Sequence, residues 1–426
     1  MTQQELRTTL ISLGMHPDSL DADACAEQFR ACMRAGLRGE SRGMLMLQTY
    51  LSPDGEVPAD KPVIVLDAGG TNFRRAVATF DKDGRLHLDD FEKTPLPGTH
   101  GEISVNEFFD ALAERILPVV NRSDRIGFCF SYPTRALPNM DGELQQFCKE
   151  VRVRDSENIS VCAELKKALR RKGVTEKKHC VLLNDSVAAL LGGKAAAGNR
   201  SFGTYLGYIY GTGTNCCYTE RTERIADVAG YSAPRMIVNM ESGMHVGFPM
   251  GSADIVLDRE SEFPGDHMFE KMISGAYLGR LMALAAQFCA KRGAFSEPGT
   301  AALMQTDRFE LRDVGDFVDG GTPAVFAAYD AADSDALRQI FTALYERAAK
   351  LVLLTIECVL RESETGSDPA HPACITMEGT TFQKSRVFRD YFFRGCDELR
   401  TRGLYTEILE CADTTLAGAA IAGLLN

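Results

Sequence analysis

The sequence predicts an α/β protein in which two similar lobes face a common cleft. Three observations predict it. An apolar strand, a Gly/Thr turn ending in Asn and a second strand occur near 63–80 and return near 205–219, about 145 residues further on, a weak internal repeat. Short apolar runs alternate with segments of helical periodicity, the texture of α/β domains. The 426 residues suffice for roughly two to three domains, and clefts between domains are the usual place for a ligand.

The elements follow in order. Residues 21–38 place Cys25, Phe29, Cys32 and Met33 on one helical face. A looser stretch rich in Gly, Pro and Asp reaches to about Pro62 and reads as a linker. Val63–Asp67 is a short apolar strand, 68–72 a turn, and Phe73–Phe80 a second strand. Asp83-Gly84 turns the chain again before Arg85–Leu88, completing an antiparallel meander. Ser104 and Glu107 make a capping box that opens a helix with Phe108, Leu112 and Ile116 on one side. Arg125–Ser131 is a strand ended by Tyr132-Pro133, 160–171 a helix, Cys180–Asn184 a buried strand and Asp185–Ala197 a helix. Tyr205–Tyr210, the turn 211–215 and Cys216–Thr219 repeat the first hairpin. Beyond 240 the chain is largely helical, most clearly over Met268–Ala286 and Asp335–Glu362. A strand at Ile375–Thr380 and a small-residue helix at Ala417–Leu425 complete it.

Composition narrows the function. Hydrophobic residues make 45% and charged residues 25%, the balance of a globular protein. A net charge of −12 argues against a nucleic-acid partner, which requires a basic face. The 13 cysteines include no C-x-x-C spacing, and the seven histidines no H-x-x-x-H pair, so neither a zinc site nor a disulfide framework is expected. Reduced thiols, the lack of a signal-peptide pattern in Met1–Leu20 and the lack of an apolar run of ~18 residues lead us to expect a soluble, cytoplasmic protein with no membrane partner.

Two segments carry chemistry. In Asp67-Ala-Gly-Gly-Thr-Asn-Phe-Arg74, Gly69 and Gly70 let backbone N–H groups approach an anion, Thr71 and Asn72 add polar side chains, and Arg74 suits phosphate oxygens. Asp67, at the strand end, could hold Mg²⁺ through its waters. The segment is not a P-loop, and 211–213 lacks the third glycine of a dinucleotide fingerprint. In Leu183-Asn184-Asp185-Ser186 a strand gives way to a helix. A plain N-cap would use the same residues. The functional alternative has Asp185 accepting a hydroxyl proton, stabilised as an anion by the helix N-terminus, while Asn184 holds a neighbouring hydroxyl. Ser131, Lys149, Asn215, Glu241 and Glu270 are polar residues in apolar settings, a set suited to sugar hydroxyls, which both donate and accept.

At this point the chain resembles the hexokinase family, which includes glucokinases. Ser41–Tyr50 is similar to the family's S-S-L-P-M-L-P-T-Y, LDAGGTNFRRA (66–76) to L-D-L-G-G-T-N-F-R, and GFCFSYPT (127–134) to F-S-[FY]-P. LLNDSVAAL (182–190) resembles N-D-T-V-G-T-L, YGTGTNCCY (210–218) resembles G-T-G-[ST]-N-A-C-Y, and VNMESG (238–243) resembles I-N-x-E-W-G. FEKMISGAYLG (269–279) is nearly the family sequence. Seven motifs in order cover almost the whole chain.

The resemblance implies an actin-like ATPase fold of two α/β lobes with ribonuclease-H-like cores and an interdomain cleft. The small lobe would be 60–200 with the C-terminal helix 412–426; the large lobe would be 1–59 and 201–411. It implies phosphorylation of an aldohexose, glucose favoured, to hexose 6-phosphate, with ATP and Mg²⁺ as cofactors, in a monomer or homodimer. Asp185 would be the base, with Lys149 and Arg74 completing the catalytic set. Ser131, Cys148, Lys149, Asn184, Asn215, Glu241, His267 and Glu270 would line the sugar. Asp67, Gly69, Gly70, Thr71, Asn72, Arg74, Gly211, Thr212, Gly379 and Gly418 would frame the nucleotide, Asp67 meeting the metal through water.

Departures from the family pattern keep other readings open. Cys148 replaces a threonine, His267 a glutamine, and Phe147 and Ser242 stand where tryptophan is common. Glu378 replaces an Asp, and Asp413–Ala420 lacks one glycine, a serine and a lysine of D-G-S-G-K-G-A-A. A kinase for fructose, mannose or an amino sugar, another nucleotide, or a weakly catalytic sugar sensor each remains an alternative.

Overall fold

The structure is a computed structural model and describes residues 1–40, 43–147 and 151–426. Along the chain, α1 (Gln3–Ser12) and α2 (Ala22–Leu37) precede a short β1 (Leu47–Gln48). There follow β2 (Val63–Gly69), β3 (Asn72–Phe80), β4 (Leu86–Pro95), β5 (Ile103–Ser104), α3 (Val105–Ile116), β6 (Arg125–Phe130), β7 (Thr134–Ala136), β8 (Gly142–Leu144), β9 (Val153–Arg154) and β10 (Ile159–Ser160). Then come α4 (Val161–Arg171), β11 (His179–Leu183), α5 (Asp185–Ala197), β12 (Thr204–Tyr210), β13 (Thr214–Arg221) and β14 (Arg235–Asn239). The remainder is α6 (Ser252–Glu260), α7 (Met268–Ile273), α8 (Gly275–Ala290), α9 (Glu297–Gln305), α10 (Leu311–Val318), α11 (Ala331–Glu362), β15 (Ala373–Glu378), α12 (Thr380–Lys384), α13 (Arg386–Thr401), β16 (Thr406–Ile408) and α14 (Thr414–Leu425).

Two mixed sheets organise these elements. The first has the order β11-β6-β2-β3-β4, the second β1-β14-β13-β12-β15-β16. In the first, β11, β6 and β2 run parallel, with Asp67 and Leu183 both opposite Cys129. Their C-terminal ends therefore lie side by side, which is where open α/β sheets bind ligands. In the second, β12 and β15 run parallel with Ile209 opposite Glu378, which sets the turns after both strands at one edge.

α5 and α14 join the two sheets. Ten residues of the 13 in α5 are buried, as expected of a helix that is apolar all round. A Cβ at Gly207 of β12 would stand 2.4 Å from Ser186 O, so α5 lies directly on the second sheet. On its other side α14 crosses it at small residues: a Cβ at Gly418 would come within 2.1 Å of Ala188 O. α14 in turn sits against the first sheet, where a Cβ at Gly127 would be 1.8 Å from Ala419 O.

The sequence expectations need correcting in places. The helix expected over Met268–Ala286 is interrupted at Ser274, whose backbone is extended, because Gly275 N donates to Gly211 O at 2.8 Å and draws the chain to the hairpin. The strand expected at Arg85–Leu88 is instead the ten-residue β4. α1 was unforeseen; a Thr2/Glu5 capping box starts it. The Ser104/Glu107 box forms as read. Cys32 is only partly buried beside the core that takes Cys25, Phe29 and Met33.

Candidate active site

The site begins at the start of α5. Asn184 caps the helix, its Oδ1 accepting Val187 N at 2.9 Å and the Ser186 hydroxyl at 3.1 Å. The cap reading of Asn184 is therefore correct as far as it goes, and its Nδ2 has no partner among the described residues. Asp185 occupies the first helical position and its Oδ1 accepts Ser186 N at 2.8 Å. The macrodipole favours a negative charge here.

Next to α5, the second sheet supplies an amide network. Asn215, in β13, accepts Cys216 N (2.7 Å) and Ser242 N (3.2 Å) at Oδ1 and donates from Nδ2 to Asn239 Oδ1 at 2.8 Å. Asn239 also accepts the Ser186 hydroxyl at 3.2 Å and donates to Glu241 Oε1 at 2.7 Å. A chain of side chains thus runs from Asn184 to Glu241. Glu241 sits at φ +52° and His267 at φ +48°, conformations that L residues adopt only where the surroundings hold them.

Glu270, in α7, accepts Thr214 N at 2.9 Å. Burial is the main cause that pushes both Glu241 and Glu270 above the usual carboxylate range; Asp185 adds to this for Glu241, and the His267 imidazole opposes it for both. His267 Nδ1 faces Asp266 at 3.0 Å. Ser131, Asn184, Asp185, Asn215, Glu241, His267 and Glu270 line one cavity of about 1170 Å³, which Gly211, Thr212 and Gly379 also border.

The hairpin Gly69–Asn72 lies beside this cavity. A Cβ at Gly69 would be 3.2 Å from Ser131 Oγ, and the Tyr132 hydroxyl donates to Gly70 O at 2.9 Å. Gly70 has φ +63° with open space beyond it, and Thr71 and Asn72 are exposed. Across the cleft, Gly379 (φ +121°) packs so close to the other hairpin that a Cβ would be 2.4 Å from Tyr210 O. The 211–213 turn and Gly379 thus present bare backbone to the cavity, and the Gly69–Asn72 turn lies against Ser131 at its edge.

Asp67, 5% exposed, accepts Arg74 Nε at 2.7 Å, and Arg74 Nη2 donates to Thr415 Oγ1 at 2.6 Å. Arg74 also lies 3.6 Å from Asp413. Thr414 donates to Glu378, whose carboxyl is raised mainly by burial. Among the described residues no three His, Cys, Asp or Glu side chains converge as a metal nest. Cys129 is paired with Asp67 on one side and with Leu183, two residues before Asp185, on the other, and burial pushes its thiol well up.

Asp67, Gly69, Gly70, Thr71, Asn72 and Arg74 stand outside the residues that line the cavity, and Gly418 lies away from it altogether. Gly418 is buried where α14 crosses α5, and the lack of a side chain serves that crossing. Cys148 and Lys149, and likewise Ser41 and Arg42, lie outside the described residues. Residues not singled out from the sequence are Asn239, Thr414 and Thr415. Asn239 stands inside the quoted segment VNMESG, so its signal was present; the threonines fall where the family pattern breaks down.

Hexokinase family models match residues 9–195 and 205–425, the second alone more than half of the chain. The chain belongs to the hexokinase family. Human hexokinase-3 is 29% identical over 397 residues, covering 90% of this chain and 40% of its relative. Hexokinase-1 of Spinacia oleracea is 34% identical over 269 residues, covering 59% of this chain and 53% of the relative. The chain thus spans about half or less of the length of these hexokinases. Among solved structures, a hexokinase from Schistosoma mansoni complexed with glucose superposes with a TM-score of 0.73 at 22% identity, covering 99% of this chain and 100% of the other. A second hexokinase superposes at 0.74, covering 99% and 96%. The fold is the two-lobed, actin-like α/β fold of hexokinases, with ribonuclease-H-like cores.

Proposed function

We propose that this hexokinase-family chain transfers the terminal phosphoryl group of ATP to the 6-hydroxyl of an aldohexose, glucose favoured. The observation that carries the reading is the convergence of Asn184, Asp185, Asn215, Glu241 and Glu270 on one cavity flanked by two glycine turns. Amide and carboxylate groups alternate around it, offering both donors and acceptors to a ring of hydroxyls. Asp185 takes the proton of the attacking hydroxyl, and Asn184 Nδ2 steadies an adjacent one. Glu241 and Glu270, held by Asn239 and Thr214 N, accept hydroxyl hydrogens and fix the ring.

The nucleotide phosphates fit the bare turns at Gly69-Gly70-Thr71-Asn72 and Gly211-Thr212, with Gly379 opposite. Asp67 suits Mg²⁺ through water, and Arg74 and Lys149 suit the phosphoryl oxygens; Mg²⁺, when bound, neutralises charge on the phosphates. Closure of a lobe of residues 60–200 with 412–426 on one of residues 1–59 and 201–411 would exclude water from the transfer. The chain would act in this way as a monomer or as a homodimer.

The test is ADP release from Mg·ATP with and without glucose, on wild type and Asp185→Ala. Glucose-dependent release, lost by at least about 100-fold in the variant, is expected of a base. Release indifferent to any hexose, or undiminished in Asp185→Ala, would overturn the reading. Activity on fructose, mannose or an amino sugar in place of glucose would redirect the substrate and leave the chemistry standing.

A further inference from the structure

His245 lies behind the sugar wall and takes no part in the chemistry above. It closes the single helical turn Ser242–Met244 that begins at the strained Glu241, its N–H donating to Ser242 O at 3.0 Å. Its carbonyl accepts Phe269 N, also at 3.0 Å. Phe269 is the neighbour of Glu270 in α7. One residue therefore joins the backbones of the two segments that present the raised carboxylates.

The imidazole is 1% exposed. Phe29 of α2 and Phe248 meet it nearly edge-on, at centroid distances of 4.9 and 4.5 Å, and Phe269 meets Phe248 at 4.9 Å. Gly247 leaves room for the ring: a Cβ there would be 2.8 Å from its Cε1 and Nε2. Neither ring nitrogen has a hydrogen-bond partner among the described residues.

The charged groups on the packed elements are engaged elsewhere. On α2, Glu27 pairs with Arg30 and Arg34, both of which also approach Glu362. On α7, Lys271 pairs with Asp258, and Glu270 accepts Thr214 N. Glu241 accepts Asn239 Nδ2. Among the described residues no charged group is paired with the ring; the uncharged Gln28 amide lies near it on α2, and burial pushes its pKa down to about 4. An apolar ring of that size would leave no orphaned nitrogens, so the imidazole costs stability where it stands.

We propose that His245 is a positioning residue that sets the spacing of Glu241 and Glu270 only as a neutral imidazole, and that protonation opens its aromatic box and separates the two carboxylates. The sign follows from burial. The opened form binds a proton near the ordinary histidine value and the closed form only near pH 4, so closure is favoured above pH 6.5 and is lost as pH falls toward 4. The inference rests on the reading of Glu241 and Glu270 as hexose ligands. It adds that acid loosens the sugar side of the cleft, including the 211–213 turn that rests on Glu270, while the Gly69–Asn72 turn, which belongs to the first sheet, stays formed.

The test follows the Phe269 amide, which bonds to residue 245, by hydrogen exchange in wild type and His245→Phe. Between pH 7 and pH 5 its protection factor falls by about 20-fold in wild type, the ratio set by values of 6.5 and about 4. In His245→Phe, which keeps a ring and loses the titration, the fall is under about twofold. Calorimetry on His245→Ala adds a functional readout at pH 7: hexose affinity drops by about tenfold or more while nucleotide affinity stays within about twofold. Equal pH dependence in wild type and His245→Phe overturns the proposal, as does equal loss of both affinities in His245→Ala. If His245→Ala does not fold, the exchange comparison decides. Absence of hexose binding by wild type at pH 7 instead overturns the hexose reading and this role with it, whatever the exchange shows.

Discussion

Replacing Gly213 by alanine tests the proposed sugar side of the cleft without removing any charged group. Gly213 has an ordinary backbone conformation, so an alanine there meets no dihedral penalty. Its Cβ, however, would stand 2.6 Å from Glu270 Oε2, where 3.4 Å is ordinary contact. The carboxylate must retreat by about 0.8 Å. It now accepts Thr214 N at 2.9 Å, so that retreat takes the bond past a useful length. A hydrogen bond to a charged acceptor is worth about 1.5–3 kcal/mol, and if Glu270 binds the hexose as proposed, the misplaced carboxylate would no longer meet it correctly. We expect hexose KM to rise by roughly 10- to 100-fold, KM for ATP to stay within about twofold, and stability to fall by about 1–2 kcal/mol in urea titration. A variant with unchanged hexose KM would refute the assignment of Glu270. Equal effects on both substrates would show that the 211–213 turn serves the cleft as a whole.

Three further outcomes can be checked. Glu241→Gln and Glu270→Gln should each raise the Tm of the ligand-free protein at pH 8 and lose hexose affinity: a carboxyl raised by burial costs stability above its folded pKa, and that cost fades as pH falls through it, so the gain over wild type should shrink in acid. Thr415→Val removes the hydroxyl that takes a hydrogen bond from Arg74 and gives one to Asp67; ADP affinity should fall several-fold by calorimetry with hexose affinity intact, and Thr415→Ser should restore it. Arg347→Met breaks a fully buried ion pair with Asp254, which also caps Gly251 N, and should cost about 3–5 kcal/mol in urea unfolding.

Much of the first lobe was legible because its signals are local. The strand pattern of 63–80, the capping box at Ser104 and the strand-to-helix junction at Asn184-Asp185 each decide their own conformation within a few residues. The candidate site was legible as a set of residue types, since Ser131, Asn215, Glu241 and Glu270 are polar where their neighbours are apolar. What periodicity could not give was their meeting. That depends on parallel registers such as Asp67 opposite Cys129 and Ile209 opposite Glu378, which relate residues far apart in the chain. The break at Ser274 escaped for the same reason: residues 268–286 have unbroken helical periodicity, and a contact from Gly211 overrides it. Gly418 was misread because a glycine needed for a helix crossing looks, in sequence, like one needed for a phosphate.

The small-residue helix α14 has a bearing on how the molecule is made. Arg74 meets Thr415, and Arg125 Nη1 donates to Gly423 O, partners separated by 341 and 298 positions. The first sheet has its strands early in the chain but lacks one of its packing faces until residues 414–425 arrive. During synthesis, β2, β6 and β11 would hold that apolar surface uncovered for most of elongation, a state prone to wrong association. Asp67 stands in β2 and Asp185 just past the end of β11, so the proposed metal and base positions are set by those strands. Acquisition of activity and burial of that surface should therefore be a single late event, with no partly active intermediate before it.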